Sequence, residues 1–165
     1  MEIRPAEEEA DARAVAAIYN HYIANSHATF ELEPIDDSEM RRRMEETTTR
    51  GFPFFVCESA DNILGFAYAH EYKQRSAYRH SVEVSVYVSP DQNAKGVGSR
   101  LYEVLFATLE RGNYHAVIAG ISLPNEASVK LHEKFGMQKV AHFREVGRKF
   151  DRWIDVGYWQ ILLPK

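Results

Sequence analysis

Apolar and polar side chains alternate with a period of two in the run Val-Glu-Val-Ser-Val-Tyr-Val at positions 82–88. Such alternation is typical of a β-strand with one apolar and one polar face. A segment containing Gly96 and Gly98 follows, and beyond it the apolar positions recur at helical spacing. We therefore predict a strand, a glycine-bearing loop and a helix that ends near Gly112.

Helix and strand patterns also cover the rest of the chain. The spacing predicts a first helix with its apolar face at positions 15, 18, 19, 22 and 23. A more polar second helix is expected to start near Asp37 or Ser38 and to stop before Gly51. A short helix after Asn125 is expected to stop at Gly136. The remaining predicted elements are strands at 2–4, 53–58, 63–72, 116–122, about 137–146 and about 153–163.

The predicted element order is β-α-α-β-β-β-α-β-α-β-β. Strands with interspersed helices, without strict βαβ alternation, indicate an α/β protein with a mixed sheet covered by helices. A chain of 165 residues is long enough to bury a core, and no linker or internal repeat interrupts it. We therefore expect a single domain that spans residues 1–165.

Composition narrows the class of partner. A net charge of −4 argues against a nucleic-acid binder, since such domains usually carry a basic stripe. The single cysteine, Cys57, excludes an internal disulfide, and the seven histidines lack metal-site spacing, so no metal is expected. No apolar run approaches the length of a membrane span, and a signal-peptide pattern is missing, so we expect no membrane association and a cytoplasmic location.

The glycine segment and the strand before it are candidates for chemistry. Backbone N–H groups at a helix start can bind phosphate, although a plain turn would also explain Gly96 and Gly98. The segment is neither a GxGxxG fingerprint nor a P-loop. Glu83 shares its strand face with Ser85 and Tyr87, and that face lies either in solvent or in a cleft.

His132 and the segment 72–75 also have both a structural and a functional interpretation. His132 shares a helix face with Ser128, and a lone helical histidine is usually a surface or packing residue. The segment Tyr72-Lys73-Gln74-Arg75 is either an exposed loop or a site for a substrate carboxylate, which the forked donors of arginine suit.

The same residues, taken with their flanking segments, resemble the GNAT superfamily of N-acetyltransferases, and within it the phosphinothricin and methionine sulfoximine acetyltransferase group. The resemblance runs almost end to end and keeps the order and spacing of its motifs. They are Ile-Arg-Pro-Ala at 3–6, Ile-Tyr-Asn-His-Tyr-Ile at 18–23, Tyr-Lys-Gln-Arg-Ser-Ala-Tyr at 72–78, Val-Glu at 82–83 with Ser-Val-Tyr-Val at 85–88, Leu-Pro-Asn at 123–125 with Ser-Val at 128–129 and Leu-His-Glu at 131–133, and Trp153 with Asp-Val-Gly-Tyr-Trp-Gln at 155–160.

This resemblance implies a mostly antiparallel central sheet and direct transfer of acetyl from acetyl-coenzyme A (acetyl-CoA) to the α-amine of a small amino-acid-like substrate. Glu83 would be the base, with His132 assisting proton transfer. The residues implied for acetyl-CoA are Val86, Tyr87, Val88, Ala94, Lys95, Gly96, Val97, Gly98, Ser99, Asn125 and Ser128. Those implied for the acceptor are Phe30, Tyr72, Lys73, Gln74, Arg75, Tyr78, Glu83, Val84 and Ser85.

The sequence departs from the superfamily pattern at two positions. Asn93 stands where the loop usually opens with Arg or Gln, and His132 stands where the helix often carries a tyrosine. We expect acetyl-CoA binding to survive the first change, because the cradle consists mainly of backbone N–H groups.

Other functions remain open on sequence grounds. A protein or peptide N-terminal acetyltransferase would use the same fold with another acceptor. A non-catalytic acyl-CoA sensor would use the same cradle, although Glu83 and the 72–75 segment argue against it. A plain nucleotide-binding module is disfavoured because no Gly-Lys-Ser/Thr sequence is present. The apolar residues of the last strand could form core or interface, and we expect a homodimer.

Overall fold

The computed structural model of the protein describes residues 1–92 and 96–164. Seven strands form one sheet in the spatial order β1-β2-β3-β4-β5-β7-β6. All neighbouring pairs are antiparallel except β4 and β5, which run parallel. The strands are β1 (Glu2–Pro5), β2 (Phe54–Ser59), β3 (Asn62–Glu71), β4 (Ser81–Val88), β5 (Ala116–Leu123), β6 (Gln138–Lys149) and β7 (Arg152–Leu162).

Within the described residues, four α-helices cover the two faces of the sheet. They are α1 (Glu8–Asn25), α2 (Asp37–Thr49), α3 (Val97–Arg111) and α4 (Glu126–Lys134), and short 3₁₀ turns occupy Ser76–Tyr78 and Pro90–Gln92. Helices α1 and α2 pack with Phe54, Val56 and Phe66 on one face. Helix α3 packs with Val82 and Val84 on the other. The element order is the predicted one, and the mixed, mostly antiparallel sheet is confirmed.

The alternation of β4 has the predicted consequence. Val82 and Val84 are almost fully buried beneath α3, whereas Glu83 and Ser85 are only half-buried. Cys57 lies on the α3 side with no exposed surface, and burial raises the pKa of its thiol. A buried thiol with a raised pKa is an unreactive one.

The end of one strand differs from the prediction. Strand β6 continues to Lys149, beyond the expected end at about 146, because the chain turns at Phe150 and Asp151, which both adopt the left-handed conformation. Gly147, which looked like the start of the turn, is still paired within the hairpin, after an irregularity in the register. Helix α2 begins at Asp37, as predicted, and is capped by Asp36, whose side chain accepts from the N–H of Glu39.

A buried lysine joins this hairpin to the loop that follows α1. Lys149 is 3% exposed, and its ammonium donates to the carbonyl oxygens of Ser26 at 2.7 Å and Thr29 at 2.9 Å. Burial lowers the pKa of this amine. Because carbonyls near a helix C-terminus have no intrahelical partner, the lysine satisfies groups that would otherwise be left unpaired. The contact fixes the course of residues 26–29.

Replacing Lys149 should therefore lower the stability of the protein. We expect Lys149→Met to lower the free energy of unfolding by about 2–4 kcal/mol, since charge-assisted hydrogen bonds are lost and buried carbonyls lose their donor. The exposed Lys130, whose nearest carboxylate is Glu126 at 3.7 Å, supplies the control Lys130→Met, expected to change stability by less than about 1 kcal/mol. Urea denaturation of both variants measures the difference, and equal losses would contradict the assignment.

Candidate active site

The two parallel strands, β4 and β5, separate in the middle of the sheet. Their pairing covers Ser81–Ala116, Val82–Val117 and Glu83–Ile118, and it extends no further. Beyond this point β4 remains paired with β3, and β5 remains paired with β7 through Leu123. The facing edges of β4 and β5 therefore open into a cleft of about 720 Å³. Backbone N–H and C=O groups along these edges are available to a ligand.

Glu83 lies at the vertex of this opening, on the last residue of β4 that is paired with β5. A Cβ built on Gly120 would lie 3.6 Å from Glu83 Oε1 and 3.2 Å from the ring of Tyr158, so the carboxylate and this ring meet above Gly120. Burial raises the pKa of the Glu83 carboxyl, and His70, its partner in register on β3, acts against that shift. A half-buried carboxylate with a raised pKa is suited to accept a proton.

Most of the residues predicted to contact acetyl-CoA or the acceptor along β4 and α4 line one cleft. The structure brings together Val84, Ser85, Val86, Tyr87, Val88, Asn125, Ser128 and His132. The phenol of Tyr22, from α1, donates to the carbonyl of Val88 at 2.6 Å and closes one end of the wall. The alternative that β4 presents a plain solvent-exposed face does not hold for these residues.

Helix α3 starts at the end of this cleft. Gly96 precedes its first residue with φ +76°, a left-handed conformation that favours glycine, and within the described residues no side-chain hydrogen bond caps the helix. A Cβ on Gly98 would lie 3.2 Å from Leu131 and 3.6 Å from Val88, so helix and strand approach closely. The first turn has no acidic residue, and Lys134 donates to Ser99 Oγ at 2.9 Å. Asn93, Ala94 and Lys95 lie outside the described residues.

His132 is buried, and both of its ring nitrogens have partners. Nδ1 lies 2.7 Å from the carbonyl oxygen of Ser128, and Nε2 lies 2.8 Å from the hydroxyl of Tyr102, which is fully buried. Burial lowers the pKa of this imidazole. The neutral ring therefore donates from Nδ1 and accepts at Nε2. His132 is therefore a packed, hydrogen-bonded residue that also lines the cleft, so both interpretations of it from the sequence apply.

The residues predicted for the acceptor form a second group. The ammonium of Lys73 lies 5.2 Å from the ring of Tyr72 and 5.8 Å from that of Tyr78. Gln74 is exposed, and Arg75 precedes the 3₁₀ turn. Phe30 lies apart from this group, with its ring against Gly147 of the hairpin. None of these residues belongs to the wall of the β4–β5 cleft.

Comparison with known proteins identifies the family of this chain. Residues 3–157 match the model of the acetyltransferase (GNAT) domain. Over 151 residues the chain is 42% identical to a phosphinothricin N-acetyltransferase of Alcaligenes faecalis, covering 91% of this chain and 77% of that protein. It is 33% identical over 165 residues to an L-methionine sulfoximine/L-methionine sulfone acetyltransferase of Salmonella typhimurium, covering 100% of this chain and 96% of the relative.

A solved structure agrees with these relatives. The phosphinothricin acetyltransferase of Sinorhizobium meliloti in complex with acetyl-CoA superposes with a TM-score of 0.94 at 32% identity, covering 98% of this chain and 88% of that one. The chain belongs to the GNAT acetyltransferase family. The resemblance deduced from the motifs is thereby confirmed. This GNAT protein is an N-acetyltransferase that uses acetyl-CoA as its acetyl donor.

The described part of the GNAT site fits such a donor. The N–H groups at the start of α3 could hold a pyrophosphate, and Lys134 adds positive charge beside them. Asn125 caps α4 by accepting from the N–H of Ser128 at 3.2 Å, so the loop before α4 forms a fixed wall for an extended ligand arm. Among residues 1–92 and 96–164, no cluster of His, Cys, Asp and Glu is arranged to hold a metal ion. None of the helices described there is long and apolar enough to cross a membrane.

Sequence reasoning missed two parts of this GNAT site. Tyr158 was assigned to core or interface, yet it lies beside Glu83, and the pKa of its phenol is raised by burial, with further contributions from Glu83 and Tyr72. His27 and Ser122 also line the cleft and contact each other at 2.9 Å. A local pattern could not reveal either, because β5–β7 pairing and a contact across 95 positions create them.

Proposed function

We propose that this N-acetyltransferase acetylates the α-amine of small amino-acid-like acceptors of the phosphinothricin and methionine sulfoximine or sulfone type. The observation that carries the proposal is the position of Glu83 at the vertex where β4 and β5 separate. The printed activities of the relatives support the acceptor class. Residues 1–165 would act as one catalytic domain.

In this mechanism Glu83 removes a proton from the acceptor ammonium, directly or through a bound water, because a protonated amine cannot attack a thioester. Backbone N–H groups of Val86 to Val88 hold the acetyl carbonyl and stabilise the negative charge that develops on its oxygen. The open β4 edge supports this role. The pyrophosphate binds at residues 94–99, and Asn125 and Ser128 contact the pantetheine arm.

The acceptor itself would bind between Glu83 and the 72–78 segment. Tyr158 is near both, because Glu83 and Tyr72 each contribute to the raised pKa of its phenol. The cation of Lys73 over the paired rings of Tyr72 and Tyr78 supplies positive charge to a substrate carboxylate. Gln74 and Arg75 border this region, and the resemblance alone assigns Phe30, in the loop after α1, to the acceptor. His132, which lines the cleft, assists the return of a proton to the leaving thiolate.

The protein would act as a homodimer in the cytoplasm, where acetylation of inhibitory amino-acid analogues would confer resistance to them. The free, buried Cys57 agrees with a reducing compartment. The β6–β7 hairpin exposes large apolar side chains in a group, and these exposed residues support the dimer: Phe143, Val146, Phe150 and Trp153. Trp159, by contrast, is core.

A panel of acceptors tests the function. Thiol release from acetyl-CoA should be fastest with phosphinothricin, methionine sulfoximine or methionine sulfone, slower with ordinary amino acids, and slowest with a peptide that has a free N-terminus. Faster release with the peptide would favour the protein N-terminal acetyltransferase. Binding of acetyl-CoA without thiol release from any acceptor would favour the sensor.

Glu83→Gln tests the base. Because burial raises the Glu83 pKa above its ordinary 4.5, kcat/KM of the wild-type protein should fall as pH drops through that raised value. The variant should lose about 10²-fold or more in kcat at neutral pH, because it lacks the base, while its acetyl-CoA Kd stays nearly unchanged. A variant with wild-type turnover at every pH would eliminate Glu83 as the base.

Sedimentation tests the dimer. The wild-type protein should sediment as a dimer, and Trp153→Glu should shift it towards monomer, because a charge would replace an apolar side chain that is 62% exposed in one protomer. A wild-type protein that is monomeric at all concentrations tested would contradict the interface.

A further inference from the structure

His27 is a cleft histidine with no assigned role. It follows α1 directly, in a turn where Ser26 Oγ accepts from the N–H of Ala28 at 2.9 Å. The imidazole Nδ1 lies 2.9 Å from Ser122 Oγ, on β5. The hydroxyl of Ser122 in turn donates to the carbonyl oxygen of His27 at 2.5 Å. These two reciprocal bonds join the loop after α1 to β5.

The two bonds decide where the proton sits on the ring. Because the only hydroxyl proton of Ser122 is directed at a carbonyl, its oxygen can only accept from His27 Nδ1. Nδ1 is therefore the protonated nitrogen of the neutral ring, and the lone pair lies on Nε2. The residue itself is half-buried and lines the cleft.

The strand register places His27 close to the catalytic carboxylate. Glu83 is paired with Ile118, and side chains two residues apart on a strand share a face, so Ile118, Gly120 and Ser122 lie on the Glu83 side of β5. The carboxylate of Glu83 reaches over Gly120, and the imidazole of His27 is anchored on Ser122, about 7 Å further along the strand. Gly120 lies between these two positions, and the ring of Tyr158 covers it, 3.2 Å from a Cβ built there.

We propose that His27 is a second base of the active site and accepts, at Nε2, the second proton that the acceptor nitrogen loses. This inference rests on the proposed function. An ammonium with three N–H bonds becomes an amide nitrogen with one, so two protons must leave it. Glu83 takes the first before the nitrogen bonds to the acetyl carbon. His27 takes the second as the carbon–sulfur bond breaks, the thiolate gains one proton, and one proton is released to solvent.

The surroundings of Glu83 and His27 agree with their two roles as bases. Burial lowers the pKa of His27, and the cations Arg152 and Lys149 lower it further, so the ring is neutral at neutral pH. Glu83 is faced by His70 from β3 and by the phenols of Tyr68 and Tyr158. The other histidine of the cleft, His132, has both ring nitrogens already bonded.

His27→Asn separates the base from its anchor. An asparagine amide can still donate to Ser122 Oγ from about the position of Nδ1, but it has no group at Nε2. We expect kcat for the acceptor to fall about 10²-fold at neutral pH, with the acetyl-CoA Kd unchanged. The decisive readout is the ratio of wild-type to variant kcat/KM as a function of pH, in which the titrations of Glu83 and of the acceptor cancel.

If His27 is a base, this ratio stays constant above the pKa of His27 and falls as the pH drops below that pKa. Burial holds the pKa of His27 below the ordinary 6.5. A ratio independent of pH would show that His27 is only structural and would overturn the proposal. His21→Asn, a histidine on α1 outside the cleft wall, is the matched control and should give a ratio near one throughout.

Ser122→Ala supplies a second test that keeps the imidazole. It removes the partner that fixes Nδ1, so kcat should fall, though less than in His27→Asn, and full wild-type activity would overturn the positioning argument. Both outcomes presuppose a wild-type protein that releases thiol with an amino-acid acceptor. Failure of that reaction would instead reject the proposed function.

Discussion

The separation of β4 from β5 is the constraint on which the rest of the site depends. Two parallel strands that stay paired leave no room between them, whereas here pairing ends at Glu83 and Ile118 while each strand keeps its other neighbour. The opened edges carry backbone donors and acceptors that need partners. A cleft with this lining can bind an amide-rich, extended ligand without a special set of side chains, and the cleft leads from Glu83 towards the start of α3.

Burial then sets the chemistry of the groups at the vertex. It raises the pKa of Glu83 towards neutral pH and lowers that of His27, so that the imidazole is neutral and has a lone pair to accept a proton. The two groups lie on the same side of β5, because Gly120, beside Glu83, and Ser122, which holds His27, share a strand face. Lys149 holds the loop that carries His27, so a buried structural cation supports the geometry of the site.

The strength of local patterns explains which expectations from the sequence were accurate. Helices and strands with clear periodicity, such as α1, α3 and β4, occur where predicted. The end of β6 was misplaced because Gly147 resembles a turn signal, whereas two non-glycine residues in the left-handed conformation make the actual turn. The 72–75 segment was a candidate for a substrate carboxylate from its residue types, whereas no periodicity describes the turn through which Tyr72, Lys73 and Tyr78 meet.

The sequence by itself determined the order of the elements, the polar face of β4, the glycine-bearing start of α3 and, through its ordered motifs, the GNAT family. These features are local, because period-two and helical spacing are imposed by the geometry of the backbone. Only the tertiary structure decided that β4 and β5 separate at Glu83, that His132 is bonded at both nitrogens and that His27 is fixed by Ser122. Each of these depends on contacts between residues far apart in the chain, whose positions are set by strand pairing and packing.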